Sequence, residues 1–123
     1  MARIVDSRLV LAVRNLEAST RFYVDVLGFT HHQVDAPGWS FLSRDTFTVM
    51  IGECPDGKPA SELGDHSYVG YLLVEGVDAL RQELSARGAL VTEPADMPWG
   101  LREFGLRTPD GHRFTVGERT TRT

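Results

Sequence analysis

The sequence predicts an α+β fold made of two βαβββ repeats, each a curved mixed sheet with one helix on its outer face. Residues 9–29 and 70–90 carry one pattern twice: an alternating strand ending in a valine (Val13, Val74), a turn at Asn15 or Gly76, an amphipathic helix, and a closing glycine (Gly28, Gly88). The valine-to-valine and glycine-to-glycine separations differ by one residue, which fits a duplicated unit with a small length change rather than a solenoid. A chain of 123 residues buries about two thirds of its unfolded surface, enough for one core. The expectation is a single domain over 1–123, with repeat one at about 7–53, a linker at about 54–66, repeat two at about 67–118 and a frayed tail at 119–123.

Residues 8–13 alternate, with Leu9, Leu11 and Val13 on one face and Arg8, Val10 and Ala12 on the other, as in a half-buried strand. Asn15 is placed to cap the helix that follows, and Glu17 suits its positive N-terminus. Leu16, Tyr23, Val26 and Leu27 form the apolar stripe, and Gly28 ends the helix. Strands are expected at 29–34, 39–43 and 46–51, separated by Ala36-Pro37-Gly38 and by Arg44-Asp45. The polar stretch 53–66, with Pro55, Gly57, Pro59 and Gly64, joins the copies. The second copy opens with a strand at 68–74, whose helix side is Gly70, Leu72 and Val74. Asp78 repeats the acid of Glu17, and Val77, Leu80 and Leu84 repeat the stripe. A strand at 90–92, a Pro-rich loop at 94–100, a strand at 102–107, a tight turn at Thr108-Pro109-Asp110-Gly111 and a last strand at 112–117 complete it.

Composition narrows the function classes. Hydrophobic residues at 41% and charged residues at 24% are ordinary for a globular chain. The net charge of −4, with no cluster of Lys and Arg, argues against nucleic acid as partner and fits a cationic or neutral ligand. The single Cys54 excludes an internal disulfide and is compatible with a reducing compartment; it reads as a spare loop thiol. The N-terminus lacks the apolar run of a signal peptide and no stretch approaches a membrane span, so no membrane association and a cytoplasmic location are expected.

Two separated motifs carry a family resemblance. Val13-Arg14-Asn15-Leu16-Glu17-Ala18-Ser19, with Phe22-Tyr23 and Val26-Leu27-Gly28-Phe29, resembles the opening signature of the vicinal oxygen chelate superfamily. That superfamily contains glyoxalase I, extradiol dioxygenases, fosfomycin-resistance transferases and bleomycin-resistance proteins. Pro98-Trp99-Gly100, Arg102-Glu103-Phe104, Leu106-Arg107 and Pro109-Asp110-Gly111 resemble the bleomycin-resistance branch. The resemblance runs from about Arg8 to Glu118. In the metal enzymes of the superfamily each of four strands supplies one ligand, typically His or Glu, to the concave face. The resemblance carries those positions onto Arg8, Met50, Val69 and Thr115. None is a usual ligand for a hard or borderline divalent ion, and Arg8 would repel one, so no metal and no cofactor are expected.

Strand parity adds Val10, Ala12, Thr48, Tyr71, Leu73 and Arg113 to the same concave face. With Phe104 and Leu106 on the helix side, Glu103 and Gly105 face inward. Trp39 and Phe41 share a parity, and Trp99 sits in the loop feeding the cavity. The expected ligand-binding set is therefore Arg8, Trp39, Phe41, Met50, Val69, Tyr71, Trp99, Glu103, Arg113 and Thr115, a pocket with aromatic walls and few charges. His31 and His32, adjacent on a strand, face opposite sides; His66 and His112 read as solvated or structural. Packing or local ion pairing is the plain alternative for Trp39, Phe41, Trp99 and Arg8. Three functions remain open. The first is a metal-free protein that sequesters an aromatic or cationic small molecule. The second is a metal-dependent lyase, isomerase or dioxygenase of the glyoxalase type. The third is a metal-free enzyme with Glu103 as base and Arg8 stabilising an anion. The resemblance also implies a two-fold homodimer with ligand pockets at its interface.

Overall fold

The computed structural model describes residues 1–63 and 67–120. It has two compact units, Met1–Lys58 and Pro59–Thr123; each follows the βαβββ plan, the second with one additional short edge strand. In unit one, β1 (Leu9–Val13) runs into α1 (Leu16–Arg21), followed by β2 (Thr30–His32), β3 (Trp39–Arg44) and β4 (Phe47–Glu53). The sheet order is β1-β4-β3-β2, with β1 parallel to β4 and the other pairs antiparallel. Alternation decides what is buried: Leu11, Val13, Leu42, Val49 and Ile51 lie in the core with Tyr23, Leu27 and Phe29, while Val10 and Trp39 are exposed on the other face. Asn15 caps α1 as its sequence position predicts, its side chain accepting from the Ala18 amide at 3.0 Å. A π-helical turn, Phe22–Val26, extends α1, and the Leu27 amide donates to the Phe22 carbonyl at 3.1 Å. Gly28 then takes φ 76°, the left-handed conformation that stops the helix where expected. The strand expected at 29–34 shrinks to three residues, because Phe29 is drawn into the core and its amide donates to the Tyr23 carbonyl.

Unit two repeats the plan with β5 (Tyr68–Leu73), α2 (Val77–Ala86), β6 (Leu90–Val91), β7 (Ala95–Asp96), β8 (Leu101–Arg107) and β9 (Arg113–Arg119). The order is β5-β9-β8-β6, with β7 also paired to β8. Its core is Val77, Leu84, Ala89, Phe104, Leu106, Phe114 and Val116. The stretch expected as a loop at 94–100 therefore contains a second edge strand. Pro94 has no N–H for the ladder, and Thr92 bridges the gap: its amide donates to the Gly105 carbonyl and its hydroxyl accepts from the Gly105 amide at 2.7 Å. Part of the expected linker is also structured, as a 3₁₀ turn at Ala60–Glu62 whose Ser61 amide donates to the Asp110 carbonyl. The last strand runs on to Arg119, so the expected fraying does not begin there; residues 121–123 lie outside the described residues.

The helix N-termini share one device. A glutamate at the end of each unit's central parallel strand reaches the first free amides of its helix. Glu53 accepts from the Leu16 amide at 3.0 Å, and Glu118 accepts from the Gly76 and Val77 amides at 3.1 and 3.0 Å. Gly76 has no side chain to cap with and sits at φ 87°, so Glu118 supplies what Asn15 supplies in unit one.

Candidate functional site

The concave face of unit two carries a groove of about 420 Å³ lined by Tyr71, Leu73, Trp99, Gly100, Leu101 and Arg119. That volume suits a small organic molecule. Glu103 organises it: Oε2 accepts from the Tyr71 hydroxyl at 2.9 Å and from the Trp99 indole N–H at 3.1 Å. Two neutral donors on one oxygen fix the carboxylate and both aromatic rings together. Burial pushes the Tyr71 phenol up to about 12, reinforced by its hydrogen bond to Glu103 and by the carboxylate charge, with Arg119 opposing. Tyr71 is thus a neutral donor at physiological pH.

Gly117 makes this arrangement possible. It pairs with Glu103 on β8 and Leu73 on β5. A Cβ there would collide with the Tyr71 hydroxyl and lie 2.8 Å from Tyr71 Cζ. The same position of unit one is Gly52, where a Cβ would come within 2.8 Å of the Trp39 ring. Each repeat therefore keeps a glycine on its central strand so that an aromatic ring can lie across the sheet. Trp99 stands on a tight turn, closed by the Gly100 amide on the Met97 carbonyl at 3.1 Å and tied to β9 by the Thr120 amide on the Gly100 carbonyl at 3.0 Å.

Of the residues singled out in the sequence, Tyr71, Trp99 and Glu103 meet at this groove. Thr115 lies on the same face, paired with Tyr71 and Gly105. Arg113 is tied back instead: its guanidinium carbon lies 3.9 Å from the Tyr68 ring centre and its Nε donates to the Ser67 hydroxyl at 2.7 Å. Val69 falls at an irregularity in β5. The β5–β9 register shifts between Tyr68 and Gly70, so Tyr68 pairs with Arg113 and Val69 is the extra residue of the bulge. In unit one, Phe41 pairs with Met50, Met50 with Val10, and Trp39 with Gly52. Arg8 precedes β1 and its Nε lies 3.4 Å from the Asp6 carboxylate, both exposed, which is the local ion pairing that was its plain alternative. Sequence reasoning passed over Leu101, Arg119 and the two glycines as site elements. The available signal was the dipeptide Gly-Glu at the end of both β4 and β9.

A family model described as Glyoxalase/Bleomycin resistance protein/Dioxygenase superfamily matches residues 7–116. The chain belongs to this superfamily. CFP32 of Mycobacterium bovis, a candidate glyoxylase by name, is 31% identical over 97 residues, covering 77% of this chain and 36% of the relative. The chain thus spans little more than a third of that curated relative. Among solved structures, the bleomycin resistance determinant encoded on transposon Tn5 superposes with a TM-score of 0.79 at 20% identity, covering 96% of this chain and 100% of the other. The bleomycin-binding protein of Streptomyces verticillus, solved with copper(II)-bleomycin, gives 0.71 at 23% identity over 99% and 100%. These likenesses establish the fold.

The donor chemistry of this superfamily member does not fit the metal of its enzymatic relatives. The positions that the family resemblance would make metal ligands hold a guanidinium (Arg8), a thioether (Met50), an alkyl group (Val69) and a hydroxyl (Thr115). Among the described residues, no three His, Cys, Asp or Glu side chains converge on a point where an ion could sit. The Glu53 carboxylate, at the end of β4, is engaged by the α1 N-terminus. His31 is exposed on β2, while His32 exchanges a 2.6 Å hydrogen bond with the Ser43 hydroxyl. His112 is buried behind the turn at 108–111, and burial holds its pKa below the usual value, with Asp110 opposing. His66 lies outside the described residues. Among those residues, no helix is long and apolar enough to cross a membrane.

Proposed function

We propose that this chain is a metal-independent small-molecule binding protein of the bleomycin-resistance type, holding an aromatic or cationic organic ligand in a cavity that a two-fold homodimer completes. The observation that carries the reading is the carboxylate of Glu103 held by Tyr71 and Trp99, two of the residues that line the groove. Such a preorganised site offers stacking surface and one negative charge at little ordering cost. On this reading the two repeats form one domain over 1–123, with Arg8, Trp39, Phe41, Met50, Val69, Arg113 and Thr115 lining further parts of the cavity. A reducing compartment such as the cytoplasm suits the exposed Cys54.

The test is calorimetric titration of EDTA-treated protein with metal-free bleomycin, an aromatic and cationic probe. Saturable binding without turnover, weakened about tenfold or more by W99F or E103A, is expected. Full affinity in both variants refutes the site. Light scattering in the same buffer is expected to give the mass of a dimer; a monomer at tens of micromolar refutes the assembly. The match to CFP32 favours a second reading, a metal-dependent lyase or isomerase. In that case divalent ions would bind stoichiometrically and the added ligand would be chemically converted.

A further inference from the structure

The groove holds two opposite charges that do not meet. Arg119 lies at the end of β9, paired across the sheet with Leu101, and lines the groove. Glu103 sits two positions further along β8, against Gly117. Tyr71 hydrogen-bonds to Glu103 and lines the groove with Arg119, yet no ion pair joins the two charges among the described residues. An unconstrained glutamate beside an exposed guanidinium would swing toward it. Glu103 is prevented because its Oε2 is occupied by the Tyr71 hydroxyl and the Trp99 indole. Among the described residues its Oε1 has no hydrogen-bond donor and Arg119 has no carboxylate partner. The two rings stand beside these charges, with Trp99 63% and Tyr71 45% exposed.

We infer that the groove selects an amphoteric aromatic ligand: a planar ring bearing both a carboxylate, taken by Arg119, and an ammonium or N–H donor, taken by Oε1 of Glu103. The inference rests on the groove being the binding site and adds the class of molecule it takes. A guanidinium is the side chain best matched to a ligand carboxylate, because its planar fork donates to both oxygens. Trp99 and Tyr71 supply the stacking surface for the ring, and the carboxylate on the opposite side rejects a ligand carrying only negative charge.

Three probes with the same ring separate the possibilities: tryptophan (both charges), tryptamine (cation only) and indole-3-propionate (anion only), each titrated by calorimetry into the full chain. Tryptophan is expected to bind roughly tenfold tighter than either singly charged probe. R119Q, at an exposed strand end, should bring tryptophan down to the level of tryptamine and leave tryptamine unchanged. E103Q keeps an oxygen for Tyr71 and Trp99 and should weaken tryptophan and tryptamine alike. Near-ultraviolet circular dichroism checks that both variants keep the native fold. Tryptamine binding as well as tryptophan, no binding of any probe, or full tryptophan affinity in R119Q overturns the assignment. Bleomycin binding that is weakened by W99F while tryptophan fails would leave the groove intact and remove only the amphoteric class. Loss of neither in W99F would remove the groove itself.

Discussion

Substituting Gly117 by alanine tests the groove at its tightest point. The added methyl collides with the Tyr71 hydroxyl, lies 2.8 Å from Cζ and 3.3 Å from Glu103 Cγ, so Tyr71 must leave. The obstacle is the far end of a side chain that is 45% exposed, so the ring can rotate into solvent and the backbone need not move. The loss is the hydrogen bond to Glu103, worth about 1 kcal/mol at this exposure. Against it stands the gain of about 0.5 to 1 kcal/mol from replacing glycine by alanine inside a strand. Net stability should stay within about 1 kcal/mol of wild type, a shift of at most roughly 3 to 6 °C for a chain of this size. Ligand affinity should fall about tenfold or more, because Tyr71 no longer orders the carboxylate. Urea denaturation of the cycle G117A, Y71A and the double variant isolates the cause. With Tyr71 absent, G117A should stabilise by about 0.5 kcal/mol, a coupling of about 1 kcal/mol. Equal effects of G117A in both backgrounds would refute the proposed crossing of Tyr71 over Gly117.

Gly111 provides the contrast. Its φ is 87° and an added Cβ meets the Ser61 backbone, with Cα at 2.6 Å, so G111A should cost about 3 kcal/mol or more in thermal unfolding. E118A should cost about 1 kcal/mol, since two α2 amides lose their acceptor, and E53A somewhat less with one; denaturant midpoints measure both. His112 gives stability an acid slope. Its folded pKa lies below 6.5, so the unfolded chain takes up its proton first and stability falls as pH drops through 6.5 toward the folded value. The slope is at most about 1.4 kcal/mol per pH unit. H112Q should flatten that part of the profile between pH 7 and 5.

The repeats and the core were legible because half-buried strands obey a period of two, which places Leu11, Val13, Val49, Ile51, Phe104, Leu106, Phe114 and Val116 on the helix side without ambiguity. The same rule placed Tyr71 and Glu103 on the concave face. It is silent at Val69, where a bulge interrupts the pairing and leaves no mark in hydrophobic alternation. The capping glutamates were invisible for a different reason. Glu53 serves an amide 37 residues away and Glu118 one 41 residues away, and no local pattern records such a contact. Edge strand β7 was hidden by Pro94, a residue that normally signals a loop, because Thr92 takes over the ladder with its side chain. The clearing function of Gly52 and Gly117 depends on which ring crosses which strand, and only the three-dimensional register supplies that.

On the proposed function an aromatic ligand is held beside Trp99 without a metal. The chain has two tryptophans, so the two indole N–H signals in a proton–nitrogen correlation spectrum distinguish Trp99 from Trp39. Titrating EDTA-treated protein with bleomycin should move the Trp99 signal saturably as its hydrogen bond to Glu103 is perturbed, with the endpoint unchanged when zinc or manganese replaces EDTA. A Trp99 signal that stays fixed until a divalent ion is added would contradict the account.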